Sequence, residues 1–256
     1  MDLLTYNREA WNKMVSDKNQ WTVPANPAAI EEARRGNWSI VLTPTKPVPH
    51  DWLPGLKGKN LLCLASGGGQ QGPVLAAAGA LVTVFDNSNA QLEQDRMVAE
   101  REGLKLTLKQ GDMRDLSVFS NESFDVIVHP VSNCFIDDVK IVWRECFRVL
   151  KRNGILIAGL CNPLIYIFDF DQWDKNKKLV VRYKIPYSDL DQLPKAHLRD
   201  RIEAKEPMEF GHSLENQIGG QIDAGFVING FYEDNAGGDV LDEYINTFIA
   251  TRSIKP

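Results

Sequence analysis

Basic residues are in deficit: 29 Lys and Arg stand against 34 Asp and Glu, for a formal net charge of −5. A chain that grips nucleic acid over a broad face normally carries the opposite excess, so no nucleic-acid partner is expected. Long apolar runs are also missing. No stretch of about 18 uninterrupted apolar residues occurs, which leaves no candidate membrane span. The first residues, MDLLTYNREAW, lack the basic-then-apolar order of a secretory leader. Cysteine is scarce, and Cys63, Cys134, Cys146 and Cys161 form no C-x-x-C pair. That spacing offers neither a zinc site nor a disulfide framework. The four read as buried, reduced core residues of a cytoplasmic protein without a structural metal.

The length, 256 residues, suits one domain carrying a cap or an insertion. From residue 59 onward, apolar runs alternate with helical patterns. NLLCLA (60–65), LVTVFD (81–86), LKLTLKQGD (104–112), FDVIVHP (124–130) and ILIAGL (155–160) read as strands. Between them lie a small-residue helix over 70–80 and a polar helix over 88–103, the latter with Ser88 and Gln91 spaced as a capping box and Gly103 as its stop. Val139, Val142, Trp143, Cys146, Phe147 and Leu150 recur at helical spacing after Asp138. This alternation predicts an α/β fold with a parallel sheet covered on both faces. Two segments break the rhythm. Residues 1–50 read as an N-terminal cap of two helices running into a Pro-rich linker, LTPTKPVPHDWLP, and 162–211 as an inserted β-rich hairpin or cap. A helix over 213–226 and two further strands close the chain.

Ligands of an open α/β sheet sit beyond the carboxyl ends of its strands. The first such end is Ala65-Ser66-Gly67-Gly68-Gly69, where glycines let the backbone approach a ligand and adopt positive φ. The helix that follows points amide hydrogens at the same place. Asp86 ends the second strand, 19 residues after Gly67, where a carboxylate accepts hydrogen bonds from ribose hydroxyls. A nucleoside cofactor is therefore expected. Gly67, Gly69 and Gly72 satisfy the dinucleotide fingerprint G-x-G-x-x-G, which keeps an NAD-dependent oxidoreductase as an alternative. Asp112 and Met113, in GDM at the third strand end, suit an adenine edge, although Asp112 equally suits a turn cap.

In order and spacing, these pieces resemble the class I S-adenosylmethionine-dependent methyltransferases, especially small-molecule enzymes of the methyltransferase domain 11 kind. The resemblance covers about 58–162 and 212–252 and is carried by LLCLASGGGQQG, VFDNSNAQLEQ, GDM, FDVIVHPVSNCFIDD, WRECFRVLKRNGILIAG and IDAGFVINGFYED. It implies a doubly wound, mostly parallel sheet of seven strands, the seventh inserted antiparallel. It implies S-adenosylmethionine as methyl donor, S-adenosylhomocysteine as product and a small-molecule acceptor. The backbone around Ala65, Gly67 and Gly69 would approach the methionine part, Asp86 would hold the ribose hydroxyls, Asn87 would sit beside the adenine, and Asp112 and Met113 would bind the adenine end; Ser66, Gly68, Gln71 and Gln91 would be further cofactor contacts. His129 would lie near the sulfonium, as the first candidate for a general base or as a packing residue.

Two positions depart from the family pattern: Cys63, where an acid is frequent, and Ala65, where glycine is. Ala65 fits if φ is negative and is costly if φ is positive. Tyr6, Trp11 and Trp21 could close over the cofactor or merely anchor the N-terminal helices. A non-catalytic module that binds S-adenosylmethionine is the third reading.

Overall fold

The computed structural model describes residues 2–256. Five strands, β1 (Asn60–Leu64), β2 (Leu81–Asp86), β3 (Leu106–Gln110), β4 (Phe124–His129) and β5 (Leu150–Cys161), alternate with α3 (Gln71–Ala77), α4 (Asn89–Glu102) and α5 (Val139–Val149). Ahead of them lie α1 (Leu3–Ser16) and α2 (Pro27–Arg34). After β5 come α6 (Phe170–Asn176), the two-residue strand β6 (Tyr187–Ser188), α7 (Asp189–Gln192), α8 (Lys195–Ala204) and the two-residue strand β7 (Phe210–Gly211). The chain ends with α9 (Gly220–Asp223), β8 (Val227–Asp234) and β9 (Phe248–Ile254).

The main sheet has seven strands in the order β3-β2-β1-β4-β5-β9-β8. Only β9 runs against the others, pairing antiparallel with both β5 and β8. β1 is apolar from Leu61 to Leu64 because both its faces are covered there. Leu61 and Cys63 belong to one core cluster, with Val82, Val84 and Ile157. Leu62 and Leu64 belong to the other, with Ile127 and the Val142–Trp143–Cys146 stripe of α5. Asp138 caps α5, accepting from the Lys140 amide at 2.9 Å, and Gly103 ends α4 at φ 65°. The expected capping box at α4 is half made. Ser88 Oγ accepts from the Gln91 amide at 3.1 Å, but the Gln91 side chain turns toward the glycine loop instead of back to Ser88.

Two expectations are corrected. The Pro-rich stretch after α2 is no linker: Leu42, Val48, Trp52 and Leu53 are buried in the first core cluster beside Ile30 and Trp38. Prolines set the path of that segment, while its apolar residues decide where it lies. The 162–211 insertion is not β-rich. LIYIFDF forms a 3-10 turn, Pro163–Ile167, that leads into α6. KLVVRYKIPY contributes a single bridge from Val181 to Phe168 and one residue of β6, Tyr187, which pairs with Gly211 of β7. Its aromatics pack on one another, Tyr166 stacking on Tyr187 at 5.4 Å and Phe170 on Tyr183 at 5.6 Å, so a small satellite core replaces the hairpin. No periodicity marks α8, because that helix buries no residue fully.

Gly159 of β5 shows how tightly the N-terminal segment lies on the sheet. A Cβ there would fall 2.1 Å from the Leu42 carbonyl oxygen and 3.0 Å from the Val131 amide nitrogen. Backbone yields less than side chains, so Gly159→Ala should cost about 2–3 kcal/mol, read from urea denaturation. A loss below about 0.5 kcal/mol would show that the segment lies more loosely than this packing implies.

Candidate functional site

A cavity of about 360 Å³ opens at the carboxyl ends of β1, β2 and β4. Ala65, Ser66, Gly67, Gln71, Asp86, Asn87, Gln91, Asp112 and Met113 all line it. Nine of the twelve expected site residues are thus brought together from four separate stretches of chain. Gly68, Gly69 and His129 do not line it.

Asp86 organises the near wall. Its Oδ2 accepts from the Gly67 amide at 2.9 Å and its Oδ1 from the Ser88 amide at 2.8 Å. Burial pushes its carboxyl above the ordinary value, against the pull of the Ser88, Gly67 and Asn87 amides. Gly68 and Gly69 take the expected positive φ, 115° and 72°, and the glycines also make room behind the loop. A Cβ on Gly67 would lie 2.7 Å from Gln91 Cβ and 3.1 Å from Asp86 Cγ, and one on Gly69 would lie 2.9 Å from the Gln94 carbonyl oxygen. The loop lacks side chains because α4 and Asp86 press directly on it. Gly72 likewise lets α3 settle on β2, since a Cβ would meet Val84 Cγ2 at 2.8 Å.

Ala65 has φ 45°, so the costly alternative holds at this position. Cys63 is fully buried and off the cavity, its thiol pushed well up by burial and by the nearby Asp95. The acid that reaches the loop comes from α4. Asp95 is fully buried, and its Oδ2 accepts from the Gly68 amide at 3.0 Å. Its Oδ1 has no partner, and burial raises its pKa to about 8.

His129 has no exposed surface. Nδ1 lies 2.9 Å from the Leu64 carbonyl oxygen and Nε2 lies 2.8 Å from Asn133 Oδ1. Both ring nitrogens are occupied, and burial lowers the pKa. His129 therefore ties the end of β1 to the loop after β4 and cannot touch an acceptor, which corrects the expectation of a base at this position. His212 is also buried, its Nε2 facing the Asn133 and Ile136 carbonyls at 3.0 Å.

Asp112 is largely taken up by Arg114. The Arg114 amide donates to Oδ1 at 2.9 Å, and its guanidinium donates to Oδ2 at 2.7 Å. The turn-cap reading thus describes its present bonds, while its place on the cavity wall fits the other reading.

The N-terminal segment forms the roof. Trp11 and Trp21 line the cavity, with Leu3, Leu4 and Asn7. Asn12 Oδ1 accepts from Ser88 Oγ at 2.7 Å, Asn87 Nδ2 donates to the Leu4 carbonyl at 2.9 Å, and the Ala25 amide donates to the Gly69 carbonyl at 2.8 Å. Tyr6 is an anchor, donating to the Glu206 carbonyl beyond α8 at 2.9 Å. Sequence reasoning missed Arg114, Tyr166 and Glu209, which also line the cavity. The last two lie in the insertion, where no periodic signal placed them.

Residues 62–158 match the Methyltransferase domain family. The chain is 58% identical over 253 residues to the uncharacterized methyltransferase YbaJ of Bacillus subtilis (strain 168), covering 99% of this chain and 98% of that one. The chain belongs to the S-adenosylmethionine-dependent methyltransferases. Over 42% of its length, this methyltransferase is also 32% identical to about half (48%) of a ubiquinone biosynthesis O-methyltransferase of Actinobacillus pleuropneumoniae serotype 5b (strain L20). Its fold is similar to that of a putative S-adenosylmethionine-dependent methyltransferase from Listeria monocytogenes, with a TM-score of 0.65 at 17% identity over 81% of this chain and 94% of the other. The antiparallel β9 agrees with this assignment and departs from the all-parallel order of the NAD-binding fold.

Two outcomes follow for the methyltransferase. Ala65→Gly should raise stability by about 1 kcal/mol, because glycine tolerates the left-handed backbone; chemical denaturation reads the change, and a loss would contradict it. Asp95 binds a proton more tightly in the folded than in the unfolded chain. Its contribution is intact below the unfolded carboxyl value and is lost as pH rises to about 8. The slope approaches about 1.4 kcal/mol per pH unit in that window. Asp95→Asn should flatten the stability profile between those limits, and a variant with the parent slope would contradict the assignment.

Proposed function

We propose that the cavity holds S-adenosylmethionine against Asp86 and Gln91 and admits a small-molecule acceptor beside it. The observation that carries this reading is Asp86 at the carboxyl end of β2. It is only partly buried, it lines the cavity beside Gln91, and each of its oxygens holds a single backbone amide. Ribose hydroxyls are donors of the right class for a carboxylate in that place. Asp86 retains acceptor capacity beyond the two amides it holds.

The remaining roles follow from position on the wall. The backbone of Ala65, Ser66 and Gly67, with Gln71, faces the methionine portion. Gly68 and Gly69 support that backbone from behind, through Asp95 and α4. Asn87, Asp112 and Met113 border the adenine, and Phe85 contributes an apolar wall. Bound S-adenosylmethionine supplies a methyl group already activated by a positive sulfur. The protein's own task is alignment and exclusion of water, which the roof of Trp11 and Trp21 serves.

The rest of the lining is mostly apolar, with Val131, Phe135, Ile165 and Phe248, and suits a compact organic acceptor better than a polymer. No helix among the described residues is long and apolar enough to cross a membrane. All four cysteines are free, which suits a reducing compartment such as the cytoplasm.

S-adenosylhomocysteine should raise the melting temperature in a concentration-dependent way, while NADH should not. Asp86→Asn keeps a carbonyl for one amide but loses the charge. It should weaken S-adenosylhomocysteine binding by about 10- to 100-fold, as expected for hydrogen bonds to a charged group, measured by calorimetry. Unchanged affinity in the variant would remove Asp86 from the cofactor site.

A further inference from the structure

We propose that Tyr166 and Glu209 form the proton acceptor for methyl transfer to a hydroxyl group of an uncharged, largely apolar molecule. The inference rests on the cofactor reading above. Tyr166 sits in the 3-10 turn that opens the insertion, and Glu209 directly precedes β7, which closes it. Both line the cavity and share its wall with Cys134, Cys161, Ile165 and Phe248.

Tyr166 Oη donates to Glu209 Oε2 at 2.9 Å, and Arg201 Nη2 donates to Glu209 Oε1 at 2.9 Å. Arg201 is shared. Its guanidinium also lies 3.0 Å from Asp189 Oδ2 and 3.5 Å from Glu206 Oε2. One cation therefore serves three carboxylates, and the negative surplus favours taking up a proton. Asp189 is already bound by Tyr187 Oη at 2.7 Å and by the Glu209 amide at 2.8 Å, and it does not line the cavity. Glu209 is the member of the cluster that does. Burial pushes its carboxyl above the ordinary value, Arg201 pulls it down, and Asp189 raises it again. The Cys134 thiol is pushed well up by its contact with Cys161 and by burial, so it does not compete as an anion.

Transfer to a hydroxyl breaks the carbon–sulfur bond, with the electron pair staying on sulfur, as the new carbon–oxygen bond forms. The hydroxyl proton must then leave, or a strongly acidic oxonium results. Tyr166 takes that proton on its oxygen and passes its own to Glu209. The phenol ends unchanged and the carboxylate ends neutral. An amine acceptor needs no base in the same step, so a preformed phenol–carboxylate pair is matched to a hydroxyl. The lining also selects against anions. Arg114 is its one basic residue among those described, and Asp112 and Asp137 already hold it. A carboxylate or phosphate on the acceptor would meet Glu209 instead.

The probe is 2-naphthol, an apolar hydroxyl compound that becomes a strong acid on excitation, so that its emission reports an adjacent proton acceptor. The protein is first saturated with S-adenosylhomocysteine, followed by its thermal shift. 2-Naphthol should then bind and emit mainly as naphtholate. Glu209→Gln and Tyr166→Phe should each cut the naphtholate share about five-fold, with S-adenosylhomocysteine affinity within about two-fold of the parent, because neither residue is placed at the cofactor. 2-Naphthoate, with a carboxylate on the same ring, should bind about ten-fold more weakly or worse. Neutral emission in the parent complex, equal emission from the variants, no binding of 2-naphthol, or equal binding of 2-naphthoate would each overturn the proposal and leave the cofactor reading standing. Absence of the S-adenosylhomocysteine shift would overturn both.

Discussion

Close contact between α4 and the loop after β1 is the constraint on which the site depends. The Gly68 amide donates to the Gln91 carbonyl at 3.0 Å and to Asp95 Oδ2 at 3.0 Å, while Asp86 holds the neighbouring Gly67 amide. The loop is held from behind by groups that need its backbone bare. A side chain at Gly67 or Gly69 would collide with Gln91 or Gln94 before it reached the cavity. Backbone amides fixed in this way need no reordering when a ligand arrives, which favours binding by preorganisation.

The same contact accounts for the departure at Cys63. An acid on β1 would lie beside Asp95 in a region without exposed surface, and two carboxylates there could not both ionise. With the acid on α4, the β1 position is free for a small apolar thiol that packs with Val82 and Val84. Asp95 supports the loop but does not border the cavity, so its contribution is to positioning. The left-handed Ala65 is the conformational strain carried by this wall, and it occurs at the residue that follows β1 and lines the cavity.

Around this fixed wall the enclosure is built from pieces remote in sequence. α1 is tied to the start of α4 through Asn12 and to the insertion through Asn7, whose Oδ1 accepts from the Met208 amide at 2.8 Å. Trp11 meets Phe135 edge-on at 5.0 Å, which joins the roof to the loop after β4. His129 and Asn133 brace that loop from beneath. The result is one cavity wall built from the strand ends and α4 and a second lined by the N-terminal segment and the insertion.

The alternation of apolar runs with helical spacings determined the sheet and the positions of α3, α4 and α5, because strand burial and helix periodicity are local and leave a regular mark. Strand-end position alone brought Ala65, Asp86 and Asp112 to one cavity, since in this fold all such ends face the same side. Only the tertiary structure decided the rest. Whether His129 touches a ligand depends on Leu64 and Asn133 claiming its nitrogens. What the glycines make room for depends on how closely α4 approaches. Tyr166 and Glu209, 43 residues apart, meet through an insertion that packs by aromatic stacking and carries no period. Burial and long-range hydrogen bonding assign those roles, and neither is written in the spacing of the residues that take part.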